Sequence, residues 1–154
     1  MPTPGEHKTI LRTAKELRIR NVQLGMKADN TIQTKSYAFA LRIVKLYRYL
    51  CDEKKKYVLS KQIVRSGTSI GANGEEAIGG QSNKDFLSKM SIAYKEARET
   101  HYWLRLLRDS DILDVKPAES IIEDCEELLK LSGSIIRTTK QKIPNSSFLI
   151  PLYA

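Results

Sequence analysis

Three glycines, Gly67, Gly71 and Gly74, recur at i, i+4 and i+7 inside a run whose apolar residues keep helical spacing. That spacing places all three on one face of a helix. Each glycine inside a helix costs about 1 kcal/mol relative to alanine. A helix that accepts this cost three times gains close backbone approach to a neighbour. The stretch from Ser60 to Leu107 therefore constrains architecture, helix packed closely on helix, and contains no catalytic constellation.

The rest of the chain reads the same way. Met1 to Gly5, with two prolines, reads as a disordered or extended start, and Lys8 to Leu24 reads as a short helix within a basic N-terminal arm, residues 1–34. A first bundle helix is predicted over about Ser36 to Cys51, with Tyr37, Ala40, Leu41, Val44 and Tyr47 as its apolar stripe. Asp52 to Lys56 is a charged turn. The second helix runs from about Tyr57 to Gly79, with Leu59, Ile63, Ser66, Ile70, Asn73 and Ala77 facing inward. Gly67, Gly71 and Ala72 are expected at tight interhelical contacts, and Asn73 at a hydrogen-bonded bundle position. Gly79 and Gly80 suit a left-handed helix end. Ser82, three residues before Asp85, suits the cap of the next helix.

The third helix is predicted over about Asn83 to Arg108. Its stripe is Leu87, Met90, Tyr94, Ala97, His101, Leu104 and Arg108, widened by Phe86, Ala93, Thr100 and Leu107. Ile92, Trp103 and Leu106 lie off that stripe. A helix with more apolar circumference than one bundle buries puts the rest against something else. The fourth helix starts near Pro117. Ile121, Ile122, Cys125, Leu128, Leu129, Ser132, Ile135 and Ile136 give the clearest helical period in the chain. Its acidic first turns and basic end suit the helix dipole, and Pro144 closes it. Residues 143–154 form an apolar tail. The expected fold is all-α: an up-down four-helix bundle over residues 35–142, with an N-terminal helical arm and an extended C-terminal tail.

The motifs Gln62-Ile63-x-Arg65-Ser66, Ser69-Ile70-x-x-Asn73, Glu76-Ala77 and Ser82 are followed by Ile92-Ala93 and Glu96-Ala97-x-Glu99-Thr100. This pattern resembles the bacterial four-helix-bundle family first named for proteins encoded in rRNA intervening sequences. The resemblance covers roughly Ser36 to Thr139. It implies an up-down bundle that assembles as a ring-like homopentamer. More distantly, the chain is similar to the accessory protein of diversity-generating retroelements, a basic pentamer. That similarity implies RNA and a reverse transcriptase as partners.

Length and composition agree with one globular domain. The chain has 154 residues, 41% hydrophobic and 29% charged. No run approaches the roughly 18 apolar residues of a membrane span. The N-terminus lacks the apolar core of a signal peptide, so a cytoplasmic protein is expected. Cys51 and Cys125 read as reduced, small core residues.

Catalytic chemistry finds little support. His7 and His101 are the only histidines, and no Glu-x-x-His pair exists. A di-iron bundle site is therefore not expected, and neither is any other metal or cofactor. Glu75, Glu76, Glu96 and Glu99 read as partners of Arg65, Lys95 or Arg98 rather than as a carboxylate site. The glycines do not form a phosphate loop. A non-enzymatic protein is expected.

Charge points elsewhere. The formal net charge is +8. Residues 1–34 hold six Lys/Arg against three acids, and residues 35–56 hold seven against two. These two segments contain the entire surplus. A surplus so concentrated forms a patch, which binds phosphates through counterion release without base readout. The candidate nucleic-acid contacts are Arg12, Lys15 and Arg18 from the arm and Lys35, Arg42, Lys45 and Arg48 from the first helix. The reading is an oligomeric accessory protein that binds nucleic acid, RNA ahead of DNA. The alternative is an assembly module that binds only protein.

Overall fold

The computed structural model describes residues 31–144. Among these there are four helices and no strand. In α1, residues 31–52 are helical, so the helix is already formed ahead of the expected Ser36. The others are α2 (Tyr57–Ile78), α3 (Asn83–Asp109) and α4 (Val115–Lys142). The N-terminal arm up to residue 30, and the tail from residue 145, lie outside the described residues.

Pairings between helices fix the topology. Ile43 and Ser36 of α1 meet Gly67 and Gly71 of α2, so one partner number rises as the other falls. The same inverse register joins α2 to α3, where Ser66 meets Thr100 and Glu76 meets Lys89. It joins α3 to α4 through Cys125 with Ala97 and Gly133 with Tyr94. Arg42 with Asp124, and Lys35 with Glu127, close α4 onto α1. Every neighbouring pair is antiparallel, as expected of an up-down bundle.

The core is a heptad-like seam. Ala93, Ala97, Thr100, Leu104 and Leu107 of α3 are buried at alternating spacings of four and three. Ile63, Ile70 and Ala77 of α2 face them, with Ile121, Cys125, Leu128 and Ile135 of α4. His101 and Arg108, read as core-stripe residues, are only half-buried at the α3 flank. The polar residues within the core are satisfied. Thr100 Oγ1 donates to Ser66 Oγ at 2.9 Å, and Ser66 Oγ donates to the Ile63 carbonyl at 3.4 Å. Among the described residues no buried side-chain polar atom lacks a partner.

The small-residue face of α2 meets α1 at Gly67 and Gly71, but a Cβ added at Gly74 would meet nothing within 4 Å, contrary to expectation. A Cβ added at Gly67 would lie 2.8 Å from both γ carbons of Ile43, and one at Gly71 would lie 3.3 Å from Ser36 Oγ. Ala72 is exposed and takes no part, contrary to expectation. Asn73 Nδ2 donates to the Ser69 carbonyl of its own helix at 2.8 Å.

Three local expectations are corrected. Gly79 ends α2 with right-handed angles, φ −76° and ψ −2°, rather than the left-handed cap. Its N–H reaches the Glu75 carbonyl within the last turn, so no reversal is needed. Next, α4 begins at Val115, with Pro117 inside its first turn, where a missing N–H costs nothing. The larger correction is α1. Its buried face is Ile32, Ser36, Phe39, Ile43, Leu46 and Leu50, while Tyr37 is 67% and Leu41 50% exposed. The helix is rotated by about 120° from the stripe expected, at 100° per residue. Two apolar stripes share this helix, and the one carrying Phe39, Ile43 and Leu46 packs. The Ser82 cap holds as expected, accepting from the Asp85 N–H at 3.1 Å.

Candidate nucleic-acid interface

The rotation of α1 sorts its four candidate cations into two pairs. Lys35 and Arg42 are seven residues apart and share one flank, which turns toward α4. Arg42 Nη1 lies 2.5 Å from Asp124 Oδ2 and also donates to the Ser120 carbonyl at 3.2 Å. Its Nη2 donates to Ser120 Oγ at 3.1 Å. Lys35 pairs with Glu127. These two cations tie helix to helix.

Lys45 and Arg48 lie on the outward side. Both are exposed and have no ion-pair partner among the described residues. The α1–α2 turn extends this surface with Lys54, Lys55 and Lys56, all exposed. Lys55 takes a left-handed backbone, φ 53°, which reverses the chain at the turn. Lys54 Nζ stands 6.0 Å from the centroid of the Tyr49 ring, within cation–π range. Among the described residues, the cations without an ion-pair partner thus include those of the C-terminal half of α1 and the turn after it. Arg12, Lys15 and Arg18 lie outside the described residues.

Beside this surface runs an open groove of about 500 Å³ between α1 and the start of α4. Leu46, Leu113, Pro117 and Ile121 supply its apolar lining. Arg42 and Lys45 supply positive charge, Tyr49 an aromatic ring, and Asp114 a carboxylate. The cations are visible in the sequence but the groove is not, because Leu113 and Pro117 join Tyr49 only through the fold. The interleaving of Leu46 and Tyr49 with Lys45 and Arg48 was the available signal.

The carboxylates do not gather into a site. Arg65 reaches Glu96 at 3.3 Å and also Glu99, and Lys89 pairs with Glu76 at 2.5 Å. The Arg65 guanidinium, joined by the Trp103 indole N–H at 3.2 Å, holds the Glu99 carboxyl below its ordinary range. Lys95 and Arg98, the other expected partners, form no such pair. His101 Nε2 lies 3.1 Å from Glu126 Oε1, half-buried at the α3–α4 seam; His7 lies outside the described residues. Cys125 is buried and donates to the Ala97 carbonyl at 3.3 Å, and burial pushes its thiol up to about 12. Cys51 is half-buried, and both cysteines are free. Among the described residues no group of three or more His, Cys, Asp or Glu side chains could hold a metal. No helix among them is long and apolar enough to cross a membrane.

Comparison with known proteins agrees with the fold. Residues 28–134 match the model of the 23S rRNA-intervening sequence protein family. The chain is similar to a crystal structure of a protein of unknown function from the S23 ribosomal protein family of Bacteroides thetaiotaomicron. The two are 52% identical with a TM-score of 0.70, over 71% of this chain and 98% of that one. No curated protein matches.

Proposed function

From the premise that this chain belongs to the 23S rRNA-intervening sequence protein family, we propose that it is a non-enzymatic RNA-binding accessory protein that works as a homo-oligomer. The observation that carries the reading is a run of exposed cations with no ion-pair partner among the described residues, close together in sequence: Lys45, Arg48, Lys54, Lys55 and Lys56. Contacts of this kind are to phosphate, so they imply affinity with little sequence preference. Lys35 and Arg42 drop out of the contact set because their charges are already matched by Glu127 and Asp124.

Oligomerisation is supported by apolar surface that the bundle leaves uncovered. Tyr37, Leu41 and Val44 are exposed on α1, and Ile92, Tyr102 and Leu106 on α3. Five subunits is the number the family resemblance implies. A reverse transcriptase partner is implied by the distant resemblance to the retroelement accessory protein. The same apolar face on α1 favours the second reading, an assembly module without RNA.

Polarisation titration of a labelled RNA at several salt concentrations tests the proposal. Binding should weaken steeply with salt. Lys45→Glu with Arg48→Glu should weaken it across all sequences and flatten the salt slope. Lys35→Gln with Arg42→Gln should leave the slope unchanged and lower thermal stability instead. Absence of binding at low salt would refute the RNA reading. Light scattering after gel filtration tests the assembly, and a clean monomer at micromolar concentration would refute it.

A further inference from the structure

Phosphate contact explains the exposed lysines but not the groove they border. A surface that only tracked a charged backbone would have no use for an apolar floor. Here Leu46, Leu113 and Pro117 line the same depression as Lys45 and Tyr49. Its volume, about 500 Å³, falls within the range of clefts that take small ligands. We propose that this groove takes an unpaired nucleobase of the RNA, stacked on Tyr49, while Lys45 holds the adjoining phosphate. The proposal rests on the RNA reading above and adds to it a preference for single strands.

The chemistry of the lining selects this occupant. A nucleobase is flat and apolar on its faces, polar on its edge and tied to a negative phosphate. The groove offers a counterpart to each part. Tyr49 is 38% exposed and lines the groove, and Lys54 lies over its ring. Stacking of a base on an exposed aromatic is the usual device of proteins that bind single strands. Lys45 is exposed with no ion-pair partner among the described residues, and the turn after α1 adds three more exposed lysines. Asp114 would repel a phosphate, but a carboxylate accepts hydrogen bonds from the amino group on a base edge. A duplex has no base to offer, since its bases are stacked and paired. A second copy of this chain would supply the apolar part of the match, but no protein side chain joins a flat stacking face to a phosphate as a nucleotide does.

The test compares polarisation titrations of the wild type and Tyr49→Ala against a short single-stranded RNA and the same strand annealed into a duplex. The wild type should bind the single strand more tightly. Tyr49→Ala should weaken single-strand binding by about tenfold or more, the loss of one stacked base, and leave the duplex unchanged. Tyr49→Phe should restore it, because the ring and not the hydroxyl is required. If Tyr49→Ala lowers the melting temperature, Tyr49→Leu keeps the apolar bulk without a stacking face and should show the same loss. Equal affinity of wild type and Tyr49→Ala for the single strand would overturn the groove assignment. Salt-dependent binding would then persist, and the RNA reading would stand without it. Failure of the wild type to bind either strand at low salt would overturn both.

Discussion

Three helical glycines offer a graded test of how closely the helices approach. Gly133 lies inside α4, and a Cβ there would meet Tyr94 Cε2 at 3.7 Å, ordinary van der Waals contact. Gly133→Ala should therefore gain the helix propensity of alanine, about 1 kcal/mol, with nothing to offset it. At Gly71 the new carbon would lie 3.3 Å from Ser36 Oγ, close enough that the serine must shift by a few tenths of an ångström. Propensity and crowding should nearly cancel there, within about 0.5 kcal/mol. At Gly67 both γ carbons of Ile43 would be 2.8 Å away and its Cβ 3.3 Å away. A β-branched side chain in a helix has essentially one χ1 rotamer, so Ile43 has no way to step aside. Overpacking of this kind costs about 1–3 kcal/mol. After the propensity gain of about 1 kcal/mol, Gly67→Ala should be less stable than the wild type by up to about 2 kcal/mol.

Urea unfolding followed by far-UV circular dichroism, at one fixed protomer concentration, measures the series. In thermal melts a chain of this size shifts by about 2–4 °C per kcal/mol. Gly133→Ala should melt highest and Gly67→Ala lowest. If Gly67→Ala proved as stable as Gly133→Ala, α1 and α2 would not approach as closely as described, and the account of the small-residue face would fail.

Two other measurements address single groups. Cys125 is buried with its thiol pushed up to about 12, so a thiol reagent should label Cys51 first and reach Cys125 only on unfolding; two thiols reacting together at native rates would contradict this. The Glu99 carboxyl is held low chiefly by Arg65, so its contribution to stability is full above the ordinary glutamate value of 4.5 and is lost as pH falls through its own lower value. Melting curves across that acid range should therefore fall less steeply for Glu99→Gln than for the wild type, and identical slopes would refute the coupling.

The fold was more legible in the sequence than the site, for physical reasons. The seams of α2 and α4 each carry one apolar stripe, and periodicity identifies such a stripe without ambiguity. On α1 the period is satisfied twice, once by Tyr37, Leu41 and Val44 and once by Phe39, Ile43 and Leu46. Choosing between them needs the partner surface, because Gly67 receives Ile43 and Gly71 receives Ser36. Asp85 three residues after Ser82 gave the α3 cap, since that signal is local. The Tyr49 groove was not legible. Its lining comes from α1, the α3–α4 connection and α4, residues that are distant in sequence.

The charge distribution carries a related lesson about what a basic segment means. Residues 35–56 hold seven cations against two acids, and α4 holds Glu119, Glu123, Asp124, Glu126 and Glu127 in its first half. Read separately, the first segment suggests a ligand site and the second complements a helix dipole. Folding places the two side by side. Asp124 and Glu127 of α4 neutralise Arg42 and Lys35, and Glu126 meets His101 of α3. Part of the apparent ligand charge is thus spent on fixing α4 against α1. The cations with no ion-pair partner among the described residues are Lys45 and Arg48, on the outward side of α1, and the lysines of the turn after it. The slope of affinity against salt counts the phosphates a protein neutralises. It should therefore follow these unpaired residues rather than the whole surplus of the segment. A surface so divided lets one helix hold the bundle with one flank and leave its other cations exposed to solvent.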